Sequence, residues 1–129
     1  MTAHAHPIDD FHPVANRPGT RTRNLVATEH GFTALFVAEL WMDDGASIPL
    51  HVHPVDEAIV VTEGELTVQV GDATIVADAE SIVRIPPDVP HAIRNRGPDQ
   101  ARALAAAAWN RATWFRDGTR YLEGKPRLD

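Results

Sequence analysis

The sequence predicts an all-β fold, an antiparallel sandwich or barrel, on three observations. Short segments of apolar and β-branched residues recur at even spacing, each closed by a Gly, Pro, Asn or Asp turn. One of them, Leu66-Thr67-Val68-Gln69-Val70, alternates apolar with polar residues at period two. Four potential metal-ligating side chains, His51, His53, Glu57 and His91, fall at the ends of such segments, where a sheet can converge them.

Taken in chain order, residues 1–22 carry His4, His6 and His12 with Pro7, Pro13 and Pro18 between them and little apolar periodicity, which predicts an N-terminal arm. No partner spacing fixes a second metal site there. Residues 23–129 are expected to form the barrel domain and a C-terminal tail. Leu25-Val26-Ala27 is a short strand, and the stretch from Phe32 to Met42 reads as one long strand rich in aromatic and β-branched residues, ended by the Asp43-Asp44-Gly45 turn. Ala58 to Thr62 is apolar on both faces and turns at Glu63-Gly64. After residues 66–70, Gly71-Asp72 reverses the chain into Ala73 to Val76. Ser81 to Ile85 is stopped by the Pro86-Pro87-Asp88-Val89-Pro90 corner that delivers His91, and the segment after 96–99 begins at Ala101.

Ala101 to Trp109 holds a conflict. Alanine favours helix and is depleted in strands, whereas a barrel needs a strand at this place, and the strand reading is preferred. Trp114, Phe115, Tyr121 and Leu122 lie in the expected tail, and core packing is their predicted role.

The chemistry begins with parity. In a strand, side chains alternate faces, so His51 and His53 project to one side about 6–7 Å apart and can meet one ion. Glu57 has the same parity, and Pro54 predicts a bend that returns its carboxylate towards the pair. His91 arrives from a distant strand. Imidazoles with one carboxylate suit one divalent transition metal ion, Fe, Mn, Ni, Zn, Co or Cu, and not Ca or Mg, which prefer oxygen shells. Four protein ligands on an octahedral ion leave two positions for a small molecule. Asn95 is expected to satisfy a hairpin. Glu39 and Arg84 are expected to face solvent, and no general base is named.

The order Gly45, five residues, His51-Val52-His53, three residues, Glu57, six residues, Gly64 matches the first motif of the cupin family. Residues 80–95, with Pro86, His91 and Asn95, are similar to its second motif, G-x5-P-x-G-x2-H-x3-N, with Glu80 and Asp88 at the two glycine positions. The resemblance covers residues 45–95. It implies a cupin-type jelly-roll barrel, often a homodimer, with the metal near the wider mouth. It further implies a small-molecule substrate and a metal-dependent dioxygenase or an isomerase or lyase. The alternative is a non-catalytic metal-dependent module that binds or senses a small ligand.

A chain of 129 residues, 43% apolar and 23% charged, fits one domain with a single core. A net charge of −6 argues against nucleic acid or anionic membrane as partners. With no cysteine, no signal-like apolar run and no stretch of about 20 apolar residues, the expected location is the cytoplasm.

Overall fold

A computed structural model describes residues 5–108 and 120–122, which form two facing antiparallel sheets. The strands are β1 (His12–Pro13), β2 (Thr20–Val26), β3 (Phe36–Met42), β4 (Ser47–Val52), β5 (Glu57–Glu63), β6 (Glu65–Val70), β7 (Ala73–Asp78), β8 (Ile82–Ile85), β9 (His91–Arg94), β10 (Ala101–Ala107) and β11 (Arg120–Tyr121). One sheet runs β1-β2-β3-β10-β5-β8 and the other β11-β4-β9-β6-β7. From β3 onward the chain crosses between the sheets at every step except the β6–β7 hairpin, which makes a jelly roll. No helix among the described residues is long and apolar enough to cross a membrane.

The core lies between the sheets because alternate side chains of each strand point into that space. Leu66 and Val68 of β6, Ile59 and Val61 of β5, Ile85 of β8 and Met42 of β3 are all buried there. The alanine-rich segment is strand β10, paired with β3 on one side and β5 on the other. Two flanking ladders satisfy its backbone, which overrides the helical propensity of alanine. Ala101 and Ala103 are buried among the core side chains. Trp109, Trp114 and Phe115 lie outside the described residues.

Three expectations about the first forty residues need correction. The first strand of the barrel begins at Thr20, inside the stretch read as an arm, and His12–Pro13 pairs with it. Only its Leu25-Val26 end was expected as strand, since Arg21 and Arg23 break the apolar pattern before it. Their guanidinium groups lie 4.3 Å from the ring centroids of Trp41 and Phe11, so they cover the outer face as flat stacked groups. The long strand expected from Phe32 starts at Phe36, because Thr28–His30 forms a 3-10 turn ended by Gly31 at φ 91°. Glu39 also differs from expectation. It is 8% exposed, held by Arg23 Nη2 and Arg102 Nη2 at 2.6 Å each. Arg84 does face solvent, paired with Asp56 at 2.9 Å.

The turn positions where glycine was replaced keep glycine's conformation. Glu80 has φ 74° and Asp88 φ 61°. Gly64 needs its lack of a side chain twice over, having φ +73° and a place where a Cβ would sit 2.5 Å from the Gln100 carbonyl oxygen.

Candidate metal centre

The structure brings His51, His53, Glu57 and His91 together from three parts of the fold, all at 6% exposure or less. His51 lies near the end of β4, His53 just beyond it, Glu57 opens β5 and His91 opens β9. His51 stands directly opposite His91 in the β4–β9 ladder. That ladder shifts register between Ile48 and His51, so that two residues three apart both face the interior. Pro49, which has no N–H to donate, lies in the shifted stretch, and an extra residue there re-aims the side chains after it. A bend follows at Pro54, and Glu57 returns to the pair as the sequence suggested. The two motif loops are tied where Asp88 N–H donates to the His53 carbonyl at 3.0 Å.

One ligand atom from each of His51, His53 and His91 lies within 4.8 Å of the others. Glu57 Oε1 is 3.6 Å from His53 Nε2 and 3.4 Å from His91 Nε2. For bonds of about 2.1 Å, donors at neighbouring positions of an ion stand roughly 3 Å apart and opposed donors roughly 4.2 Å. The two carboxylate–imidazole distances fall inside that range, and the three imidazole nitrogens lie within a bound just above it.

Hydrogen bonding decides which ring atoms are offered. His51 Nδ1 is 2.8 Å from the Pro49 carbonyl oxygen and His91 Nδ1 is 2.9 Å from that of Val89. A carbonyl oxygen only accepts, so both Nδ1 atoms carry the proton, and a neutral ring then presents a bare Nε2. Burial, with the neighbouring His91 adding to it, holds the His51 pKa down at about 3, so this ring is neutral at physiological pH. Burial would raise the Glu57 carboxyl, but the nearby His53 and His91 rings outweigh it and hold it at about 2. At 3.4–3.6 Å these contacts are long for hydrogen bonds, and His91 Nε2 and Glu57 Oε1 are both buried without a hydrogen-bond partner. A carboxylate held ionised beside these ring nitrogens, with no hydrogen bond closing the gap, is an arrangement that a cation between them would satisfy. The donor set therefore fits a divalent transition metal ion.

His51 and Glu57 also line a cavity between the sheets, closed mainly by Phe36, Ala38, Leu40, Ile48, Ile59, Ile93 and Ala105. It gives water centres about 80 Å³, several times the roughly 10–15 Å³ that one water needs. Ala38 and Ala105 are small, which helps leave this space unfilled. Three polar side chains on its wall escaped the sequence reading. Thr20 and Thr22 come from the part of β2 that was read as an arm, and Tyr121 pairs opposite His51 through β11, with its ring 5.1 Å from the His51 ring. Arg17, itself buried, stacks 5.0 Å from the Tyr121 ring centroid. Core packing was predicted for Tyr121, whereas the residue is half-buried and lies on the cavity wall. No residue spacing announces it, since β11 is a two-residue strand far along the chain.

Asn95, by contrast, belongs to the hairpin. It is buried and donates to the carbonyls of Met42 at 2.9 Å and Asp99 at 2.8 Å, while its Oδ1 accepts from Gly97 N–H at 2.8 Å.

Comparison with known proteins agrees with this geometry. The family model described as the cupin domain matches residues 40–107, the span that holds all four converging side chains. Polyketide synthase CurC of Streptomyces cyaneus is 32% identical over 98 residues, which is 75% of this chain and 64% of that protein. Protein SchB of Streptomyces halstedii is 34% identical over 98 residues, 75% of this chain and 71% of that one. The solved structure of the polyketide cyclase RemF from Streptomyces resistomycificus superposes with a TM-score of 0.80 at 21% identity, over 97% of this chain and 88% of that chain. The jelly roll, the two spaced motifs and the matched span agree, and the chain belongs to the cupin family.

Proposed function

We propose that this cupin is a metalloenzyme that acts on a small, largely apolar molecule bearing enolisable carbonyl or hydroxyl groups, of the polyketide class. The observation that carries the reading is the junction of two environments. The cluster of three imidazoles and a carboxylate opens through His51 and Glu57 onto an apolar cavity. The name of the S. cyaneus relative, a polyketide synthase, supports the substrate class.

His51, His53, Glu57 and His91 would hold one divalent transition metal ion, as the fit of their offered atoms supports. Bound there, such an ion supplies Lewis acidity to a carbonyl or hydroxyl oxygen. The chain's own residues do the remainder. Pro49 and Val89 carbonyls keep the His51 and His91 rings in one tautomer and orientation. Phe36, Ile59 and Ile93 exclude water from the carbon skeleton, which strengthens every polar contact made inside. Thr20 and Tyr121 offer hydroxyls on the wall that can orient a substrate oxygen. Proton transfer next to a carbonyl, the first step of an enolisation or cyclisation, is the reaction class this arrangement serves.

The test is hydrogen–deuterium exchange at the α-carbons of a synthetic β-polyketone, followed by NMR with metal-loaded protein in D₂O. Acceleration that vanishes after chelation and in His91→Ala supports the reading. Equal exchange in all samples contradicts it. An oxygen electrode on the iron-loaded protein separates the oxygenase alternative, which requires O₂ uptake. Ligand binding without turnover of any kind would favour the sensing module. A cytoplasmic homodimer remains part of the proposal.

A further inference from the structure

The wall of the cavity between the sheets carries a hydroxyl that the fold leaves unused. Thr20 opens β2 and lies in that wall at 2% exposure. Its Oγ1 is buried and has no hydrogen-bond partner among the described residues. A buried hydroxyl without a partner costs stability, and a valine of the same shape would fill the place without that cost.

The structural duties of a threonine at this position are met by other groups. Backbone alone closes the turn before β2, where Thr20 N–H donates to the Arg17 carbonyl at 3.1 Å and the Thr20 carbonyl accepts from Val14 N–H at 3.0 Å. Across the ladder Thr20 stands opposite the fully buried Met42, so packing by itself would favour an apolar side chain. Thr22, next on the same wall, shows the contrast. Its Oγ1 donates to the Glu39 carbonyl at 3.1 Å and is spent on the neighbouring strand. The Thr20 hydroxyl is left for what enters the cavity.

The remaining wall says what that guest is. Phe36, Leu40, Ile59 and Ile93 offer no hydrogen bond, and the metal centre meets the same space through His51 and Glu57. A volume of about 80 Å³ takes roughly five to eight water-sized groups. We propose that Thr20 is a specificity-determining residue, whose hydroxyl binds a second oxygen of the guest, apart from the oxygen at the metal centre. The cavity then selects small molecules oxygenated at two separated positions over those oxygenated at one. This rests on the reading of the cavity as the substrate's place and narrows the substrate class. A hydroxyl both donates and accepts, so the second oxygen is a carbonyl or a hydroxyl. Rotation about the Cα–Cβ bond moves Oγ1 between staggered positions and can turn it to the guest.

The test is ligand-observed NMR titration of the full-length chain, as purified, with phenol and with the diols resorcinol and hydroquinone, whose two oxygens are too far apart to share one ion. Wild type should bind at least one diol about 4–20-fold more tightly than phenol, one hydrogen bond multiplied by the two equivalent ends of the diol. In Thr20→Val the preference should fall to the about twofold that those two ends alone supply, with a melting temperature at or above that of wild type. Thr20→Ser should keep the preference. A wild type without it, or a Thr20→Val protein that retains it, overturns the proposal and leaves the cavity reading standing. Thr20→Val melting well below wild type shows that the hydroxyl serves the fold and also overturns it. Failure of wild type to bind any of the three compounds overturns the proposal together with the cavity reading.

Discussion

Replacing Asn95 with Ala tests whether the second-motif asparagine serves the fold or the chemistry. Its side chain makes three hydrogen bonds at 2.8–2.9 Å, tying the end of β3 and the turn at 97–99 to the end of β9. Each bond contributes about 0.5–1.5 kcal/mol net, and a partner left buried without a replacement adds desolvation cost. A loss of about 3 kcal/mol follows. Against a total stability of about 5–15 kcal/mol for a domain, that is a large fraction, and the variant stays folded at low temperature. Urea unfolding followed by tryptophan fluorescence should show a lower midpoint with an unchanged slope. Metal content of the folded variant should equal that of wild type, because Asn95 offers nothing to the cluster. A stability change under about 1 kcal/mol, or a selective loss of metal at full stability, would refute the hairpin role.

Acid should destabilise the metal-free protein. The His51 pKa is lowered by folding from 6.5 to about 3, so its contribution is complete above about 6.5 and fades as pH falls towards 3. Glu57, lowered from 4.5 to about 2, acts in the same direction at lower pH. Between pH 7 and 4 denaturation should report a loss of about 2–4 kcal/mol, and a flat or rising profile contradicts the buried neutral ring. Glu80→Gly should stabilise by about 0.5–1 kcal/mol, since Glu80 is exposed and its left-handed backbone costs more than glycine's added chain entropy. A lower melting temperature would mean that the Glu80 side chain makes a contact that matters. Glu57→Gln should weaken metal binding less than His91→Ala, because an amide oxygen is still a neutral donor, and titration showing equal losses would contradict that ordering.

The motif residues were legible because ligand chemistry and turn chemistry restrict residue type at fixed spacing. His51, His53, Glu57 and His91 could be read together, and so could β5, β6 and β8, whose apolar residues face the core at regular intervals. The strand at 20–26 was read only at its Leu25-Val26 end, because the outward positions before it hold arginines that stack on rings, a covering that no hydrophobic period records. Glu39 escaped for a related reason, as a carboxylate in a strand reads as solvent-facing until two arginines from neighbouring strands close on it. The parity of Ile48 and His51 could not be counted from sequence either, because an irregular ladder at Pro49 inverts it. Tyr121 reaches the cavity only through a pairing with β4 some seventy residues away in the chain.

The central claim is that His51, His53, Glu57 and His91 hold a divalent metal ion at the cavity. It is tested most directly by elemental analysis of protein purified without added metal, beside His51→Ala, His53→Ala and His91→Ala made the same way. The account predicts that each variant keeps its sheet spectrum and carries one metal ion fewer than wild type. Metal content that is the same in wild type and all three variants would contradict it.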